Sequence, residues 1–569
     1  MKGMDISYLT LFYPYPKARN SPQAAEWTKA LKAEREQLVR YGVFTKIKKS
    51  DIPDGTKIVD TKWVYIVKRK PDGGILKYKA RKVGRGFSQE AGKSYDSNQT
   101  FAQMMRPETF KMLLAIALHL GWKVRQWDVV AAYLQAPLHH QVYVSDINEK
   151  GETGYWLLHK ALYGLKQAGY EWFKTLQEIL RKAGLNQCIG DEGTYVGSQT
   201  IIGTHVDDLL AIGPSEEALG KVERAIEDHV ELDKKGQPAQ MLGMEIKWGK
   251  DFVVLTQQHL IESTHQLHSI SSSQSNKMSQ SNKTSLPTNT EPFERTNNPE
   301  EPRCNKTKYQ ALIEGLLFIA RMTRPDIAIH VNLLGRLAED PSVTNHQAAL
   351  KVLGYLYSTR SEGVTINRPL KLQLEAYADA SYGGIEPRSQ TGVILTLGQQ
   401  PVGWYSRRQD IVCLSITEAE YVACCEGAKD LAWARQFLRG LQLPNTNPTC
   451  MLWTDSEGAQ DLSKTTKFMR RSRHIKHRFH YLRQQVQQGL LTIHFIPGKE
   501  NPADPLTKLL QMIAINNWKM IWIGTNGSNA SRERLGGTKG IRAREGVKIY
   551  PEALLDHGGQ GKMKLASNR

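Results

Sequence analysis

The chain has only six cysteines in 569 residues, with no Cys-x-x-Cys pair and no Cys/His finger spacing, so neither a disulfide framework nor a zinc module is expected. A reducing compartment suits that usage. No apolar run approaches the ~20 residues that cross a bilayer, and Met1 to Asn20 lacks the charged-then-apolar order of a secretory signal. The expectation is a soluble intracellular protein, cytoplasmic or nuclear, with no membrane partner. Acids are also scarce: 57 Asp and Glu face 76 Lys and Arg, a formal charge of +19. That excess favours a polyanionic partner, nucleic acid first. With 40% hydrophobic residues the chain is long enough for two or three domains, each with its own core.

Against this basic background, one acidic stretch stands out. Gly203-Thr204-His205-Val206-Asp207-Asp208-Leu209-Leu210-Ala211-Ile212-Gly213 places adjacent carboxylates inside an apolar run, which reads as two short strands meeting at a tight turn. A solvated hairpin is the ordinary explanation for such a pair alone. Half-buried neighbouring negative charges are costly unless cations neutralise them. A third acid within a strand-like segment, Asp128 in Val124 to Leu134, completes a possible set. Three carboxylates around two divalent ions, about 3.5–4 Å apart, perform phosphoryl transfer in polymerases.

The preceding chain supplies basic and aromatic context. Ser21 and Pro22 open a helix with Trp27, Ala30, Leu31 and Leu38 on its apolar face, ending at Gly42. Lys57 to Lys68 and Ile75 to Gly86 read as hairpin strands around Pro71-Asp72-Gly73-Gly74. The hairpin carries Lys68, Arg69, Lys70, Lys77, Lys79, Arg81, Lys82 and Arg85, either a solvated face or a cationic flap over phosphates. Pro107 to Leu120 reads as an apolar helix, Ala161 to Phe173 as a loop entering an aromatic helix, and Glu216 to Glu231 as a charged helix.

Five ordered segments, Lys62-Trp63-Val64-Tyr65, Tyr78-Lys79-Ala80-Arg81, Trp127-Asp128-Val129, Leu162-Tyr163-Gly164-Leu165-Lys166-Gln167 and Val206-Asp207-Asp208, resemble the reverse transcriptase of copia-type LTR retrotransposons (Pseudoviridae). The resemblance spans roughly residues 20 to 510. It implies a right-hand polymerase of fingers, palm and thumb over 21–262, in which Asp128 and Asp207 hold two Mg²⁺, or alternatively Mn²⁺, with Asp208 accessory. Tyr133 matches an aromatic ring set against the incoming sugar, with ordinary strand packing as the alternative. Lys79 and Arg81 match triphosphate contacts, Gly164 and Lys166 a loop near nucleotide and template, and Val206 belongs to the same nucleotide-side set. Two departures are His205, where the family usually has Tyr, and Gly169, where it usually has Pro.

Ser263 to Lys308 is rich in Ser, Asn, Thr and Gln, and is expected to be a disordered linker. Helical periodicity returns over 309–365 as a connection, broken at Thr323-Arg324-Pro325-Asp326. From 372 to 510, strands end in Asp379 and Asp455, a helix carries Glu420, and Asp504 stands in Asn501-Pro502-Ala503-Asp504-Pro505-Leu506-Thr507-Lys508. Four such acids on this pattern resemble a ribonuclease H domain with a second two-metal site. Glu418 rivals Glu420, and Glu420 itself could close a capping box with Thr417; Asp504 could be a first-turn acid favoured by the helix dipole. The run Lys467 to Arg478, with Arg470, Arg471, Arg473 and His474, is expected to meet hybrid phosphates, a nuclear-import signal or solvated face being the alternatives. Lys476 stands where relatives often have Asp.

The expected fold class is therefore α+β and α/β multidomain: an N-terminal tail (1–20), the polymerase, the linker, the helical connection, a ribonuclease H-like domain, and an unrelated basic tail over 511–569. The expected activity is RNA-directed DNA polymerisation joined to RNA/DNA-hybrid cleavage, with RNA template, DNA primer, hybrid and dNTPs as partners. Zinc-knuckle, Asp-Thr/Ser-Gly protease and integrase motifs are missing, which suggests a polyprotein fragment. The rival readings are an inactive relic that only binds nucleic acid and a nuclease-only remnant. Oligomeric state is unspecified.

Overall fold

The strand Lys123–Val129 is the axis of the N-terminal half. It pairs antiparallel with Asp208–Gly213 on one side and Leu232–Gly236 on the other, and Ile201–His205, Thr194–Val196 and Asn186–Gln187 extend the six-stranded sheet beyond Asp208–Gly213. The computed structural model describes residues 12–13, 21–69, 74–147, 153–270, 285–295, 298, 300–383, 387–443, 449–464 and 476–523. Both faces of the central sheet are covered, so its strands are apolar on both sides. Leu209 and Ala211 enter one core with Trp127 and Trp172, while Leu210 and Ile212 enter another with the helix Pro107–Leu120. That helix is buried at every position from Thr109 to Ala117 because a second sheet packs against its far side.

The expected fingers form around Ile58–Arg69, hydrogen-bonded to Ile75–Gly84, with Phe12–Tyr13 on its other edge. Trp27 of the helix Ala24–Arg40 sets its ring edge-on against Tyr65 and Tyr78, which fastens the helix to the basic hairpin. Of the expected turn at 71–74, all but Gly74 lies outside the described residues.

The linker and thumb depart from expectation. The helix Gln258–Ile270 runs past the expected linker start, and Lys306–Met322 begins before its expected end. Between them Leu286 and Phe293 are buried, at 3% and 2% exposure, and His330 bonds the Pro287 carbonyl at 3.1 Å. Polar composition hid two apolar anchors, so 263–308 is not a free linker throughout; residues 271–284 lie outside the described set. The strand Val364–Asn367 then returns to pair with Phe252–Thr256, so the segments expected as connection and thumb share one four-stranded sheet. The boundary expected near residue 262 therefore cuts through a joint structure.

The C-terminal sheet has Gln400–Arg408, Gln390–Leu397 and Leu374–Ser381 as an antiparallel meander, followed by Cys450–Thr454 and Leu491–Phe495 in parallel. The helix Ile416–Gly440 packs on this sheet, giving the expected ribonuclease H-like order. The fold does not stop at 510. Met512–Trp522 is a helix whose Trp518, Trp522 and Ile523 are buried, and the Ile523 carbonyl accepts from Thr365 Oγ1 at 2.7 Å. Trp518 and Trp522, four apart, share one helix face and fill the core, which corrects the expected unrelated tail as far as residue 523. The remainder of that expected tail, 524–569, lies outside the described residues.

Candidate active sites

The first acidic site is built on a two-residue hairpin. His205 and Asp208 are register partners, Asp208 is the partner of Asp128, and Asp128 on its other side is the partner of Asp233. Partners in such ladders project from the same sheet face, so three carboxylates and an imidazole form a row across four strands. Asp207 stands at the turn beside them. Gln126, two residues before Asp128, donates to Asp208 Oδ1 at 3.1 Å and fixes that carboxylate's direction.

The turn itself is strained and held. Val206 has φ of +59°, a left-handed conformation that costs a β-branched residue roughly 1–3 kcal/mol. Its carbonyl accepts from Trp172 Nε1 at 2.7 Å, and the Asp207 carbonyl accepts from Val129 N at 2.8 Å. His205 Nδ1 is buried without a hydrogen-bond partner, and burial holds the ring's pKa below the usual histidine value although Asp207 pulls it upward. The ring is therefore neutral near pH 7.

The residues expected on the nucleotide side fall into two groups. The Arg81 guanidinium lies 4.5 Å from the centre of the Tyr163 ring, and Tyr163 meets Tyr133 edge-on at 5.4 Å. Burial raises the Tyr163 phenol, with Arg81 opposing and Glu34, Asp207 and Tyr133 adding to the rise, so this ring lies between the basic hairpin and the acidic turn. Arg81 Nε is buried without a hydrogen-bond partner, which suits an anion. Lys79 alternates with Arg81 on the same face of their strand. Lys166 is turned elsewhere: its ammonium bonds Tyr95 Oη at 2.9 Å and the Gln89 carbonyl at 3.4 Å. Gly164 has φ of +83°, and a Cβ there would strike the Gly84 carbonyl and the Val83 side chain, so glycine is required by the close approach of loop and hairpin. Gly169 does not prevent its helix, which runs Ala168–Lys182.

The second site gathers three of its four expected acids. Among the described residues, Asp379, Glu420 and Asp455 each bring one ligand oxygen within 4.8 Å of the others. Asp379 is 1% exposed; its Oδ1 and Glu420 Oε2 are buried without hydrogen-bond partners, while Glu420 Oε1 accepts from Ala380 N at 3.3 Å. Burial pushes Asp379 up, against Lys508 and Thr507 and with Asp455 and Asp504 adding to the rise, and burial followed by repulsion from Asp379 and Asp455 pushes Glu420 up further. A divalent ion would relieve both costs, so the donor set fits a hard cation.

Asp504 sits beside this set rather than in it. Its carboxylate pairs with Lys508, whose ammonium also lies 3.9 Å from Asp379 Oδ1, and Thr507 Oγ1 donates to Asp379 Oδ2. Glu418 is excluded as a rival for Glu420: it reaches back to Leu414 N at 2.8 Å while Ser415 caps Glu418 N at 3.2 Å. Ser415 therefore caps the helix and the Glu418 carboxylate is held by the residue before the cap, leaving Glu420 to face Asp379. Arg470, Arg471, Arg473 and His474 lie outside the described residues. Tyr163, Trp172, Thr507 and Lys508 were legible only as neighbours of the motif residues; Asp233 carried no signal, being one acid in a charged run.

Residues 43–280 match the reverse transcriptase (RNA-dependent DNA polymerase) family. The Retrovirus-related Pol polyprotein from transposon TNT 1-94 of Nicotiana tabacum is 28% identical over 502 residues, covering 86% of this chain and 37% of that protein. The Retrovirus-related Pol polyprotein from transposon RE1 of Arabidopsis thaliana is 30% identical over 482 residues, covering 82% of this chain and 32% of that protein. The chain thus spans about a third of the length of these relatives. Among solved structures, a foamy viral protease-reverse transcriptase in complex with double-stranded DNA aligns with a TM-score of 0.43 and 12% identity, covering 83% of this chain and 70% of that one.

Proposed function

We propose, for a chain that belongs with the copia-type retrotransposon Pol polyproteins and carries their reverse transcriptase region, an RNA-directed DNA polymerase joined to a nuclease for the RNA strand of RNA/DNA hybrids. The observation that carries the reading is the Asp128 and Asp208 register pair, with Asp207 in the adjoining turn. Asp128, Asp207 and Asp208 would hold Mg²⁺, or Mn²⁺ in its place. When bound, such ions lower the pKa of an attacking hydroxyl and stabilise the leaving oxygen. Arg81 and Lys79 bind the triphosphate of a dNTP, and the Tyr133 ring, which meets Tyr163 edge-on, stands against the sugar to exclude a 2′-hydroxyl. RNA template and DNA primer lie along the basic hairpin.

In the second site Asp379, Glu420 and Asp455 would hold the same kind of ion, with Asp504 at the margin. Thr507 orients the Asp379 carboxylate, and Lys508 balances charge between Asp379 and Asp504. Arg470, Arg471 and Arg473 hold hybrid phosphates, and His474 aids product release.

A nuclease-only reading has one observation in its favour: three of the four expected nuclease acids, Asp379, Glu420 and Asp455, are gathered, while the departures His205 and Gly169 fall in the polymerase half. Primer extension on an RNA template, with hybrid cleavage measured in parallel, separates the cases. Extension lost in Asp207→Asn and cleavage lost in Asp379→Asn support the joint activity. Cleavage without extension selects the nuclease alone, and salt-sensitive binding with neither selects a binding relic.

A further inference from the structure

Trp172 is 2% exposed in the middle of the core beneath the acidic turn. An indole there could serve packing alone, but its one polar atom is spent on a particular target. Nε1 donates at 2.7 Å to the carbonyl of Val206, the left-handed residue directly before Asp207. The peptide that follows is held from the opposite side, by Val129 N on the Asp207 carbonyl at 2.8 Å. Val129 adjoins Asp128, so one bond ties the turn to the strand carrying the first acid and the other ties it to the helix Ala168–Lys182.

We infer that Trp172 is a positioning residue for polymerisation: its indole N–H clamps the Val206–Asp207 turn in a conformation that a β-branched residue does not adopt unaided, and thereby sets where the Asp207 carboxylate stands. The inference rests on the polymerase reading above. Without the bond, the Val206 carbonyl loses its partner and the turn relaxes toward right-handed or extended geometry. Relaxation swings the Asp207 side chain, because a two-residue turn has no other slack. Small misplacements of a reacting group cost rate steeply and ground-state binding little. Helix and turn are distant in sequence, so the tie forms only in the folded chain.

The test uses the full chain with Trp172→Phe, which keeps an aromatic ring and removes the N–H. Hydrogen exchange of the segment spanning 201–210 should quicken, while segments of the Leu374–Ser381 strand exchange as before. The extension kcat should fall on the order of tenfold with KM for dNTP nearly unchanged. Adding Val206→Gly, for which the left-handed turn is unstrained, should shrink the effect of Trp172→Phe. Unchanged exchange at the turn overturns the clamp whether or not the chain polymerises. Faster exchange with unaltered kcat overturns its role in positioning, as does an equal penalty in the Val206→Gly background. Exchange that rises everywhere, with a matching fall in melting temperature, makes Trp172 a packing residue and also overturns it. A wild-type chain that extends no primer sinks the polymerase reading instead, and the exchange result then decides the clamp alone.

Discussion

The ammonium of Lys111 lies 4.1 Å from the centre of the Trp404 ring, joining the helix Pro107–Leu120 to the C-terminal strand Gln400–Arg408 through a buried cation. Trp404 is fixed in turn by its Nε1 bond to the Ala320 carbonyl at 2.8 Å, so three regions of the chain meet at one ring. The N-terminal and C-terminal halves are therefore packed directly on each other at this point.

That contact predicts a pH dependence. Burial lowers Lys111 from 10.5 to about 8, with Glu108 opposing and Arg321 adding to the fall. Between these values the unfolded chain binds the extra proton, so stability rises with pH through that window, and the full penalty applies below pH 8. Lys111→Met should stabilise the protein at pH 7 by on the order of 1–3 kcal/mol and flatten the rise. Denaturant unfolding of both proteins at pH 7 and pH 10 checks this; a difference that does not change with pH would refute it.

Ending the chain at Leu510 should unfold or strongly destabilise it. The truncation strips Trp518, Trp522 and Ile523 from the core and removes Lys519, paired with Glu362 at 2.5 Å. Trp522→Ala alone should cost ~3–5 kcal/mol. A truncated protein with the full-length melting temperature would restore the view of 511–523 as an appendage.

Arg324 and Asp326 form a fully buried pair, bonded at 2.9 and 2.7 Å, and Tyr355 Oη donates to Asp326 at 2.7 Å. Arg324→Met strands a buried carboxylate and should cost ~3–5 kcal/mol. Adding Asp326→Leu should recover part of that loss. Additive penalties in a double-mutant cycle would show that the two side chains do not act as a pair.

Divalent ions should stabilise the C-terminal half that carries Asp379, Glu420 and Asp455. With [Mg²⁺] a hundredfold above its dissociation constant, the gain is roughly 2.7 kcal/mol. Asp379→Asn should raise the melting temperature without metal, by removing a buried negative charge beside Glu420 and Asp455, and should lose the metal response. Thermal melts with EDTA, Mg²⁺ and Mn²⁺ decide; an equal metal shift in wild type and Asp379→Asn would place the ion elsewhere.

Local chemistry was sufficient to read the hairpin around Asp207 and Asp208, the Asp128 strand, the apolar helix from Pro107 and the meander that begins with the Asp379 strand, because periodicity and turn residues act over neighbouring positions. Composition misjudged the linker, where Leu286 and Phe293 are two apolar anchors among polar residues, and it missed the helix at 512–522, whose two tryptophans matter only once a core exists to receive them.

By itself the sequence determined which acids, aromatics and cations are available and which strands and helices carry them. Only tertiary structure decided that Asp208 stands opposite Asp128, that Asp233 extends the row, that Glu418 accepts from Leu414 N while Glu420 faces Asp379, and that Trp172 reaches the Val206 carbonyl. Register and cross-chain hydrogen bonds join residues tens to hundreds of positions apart, and no periodicity along the chain encodes such distances.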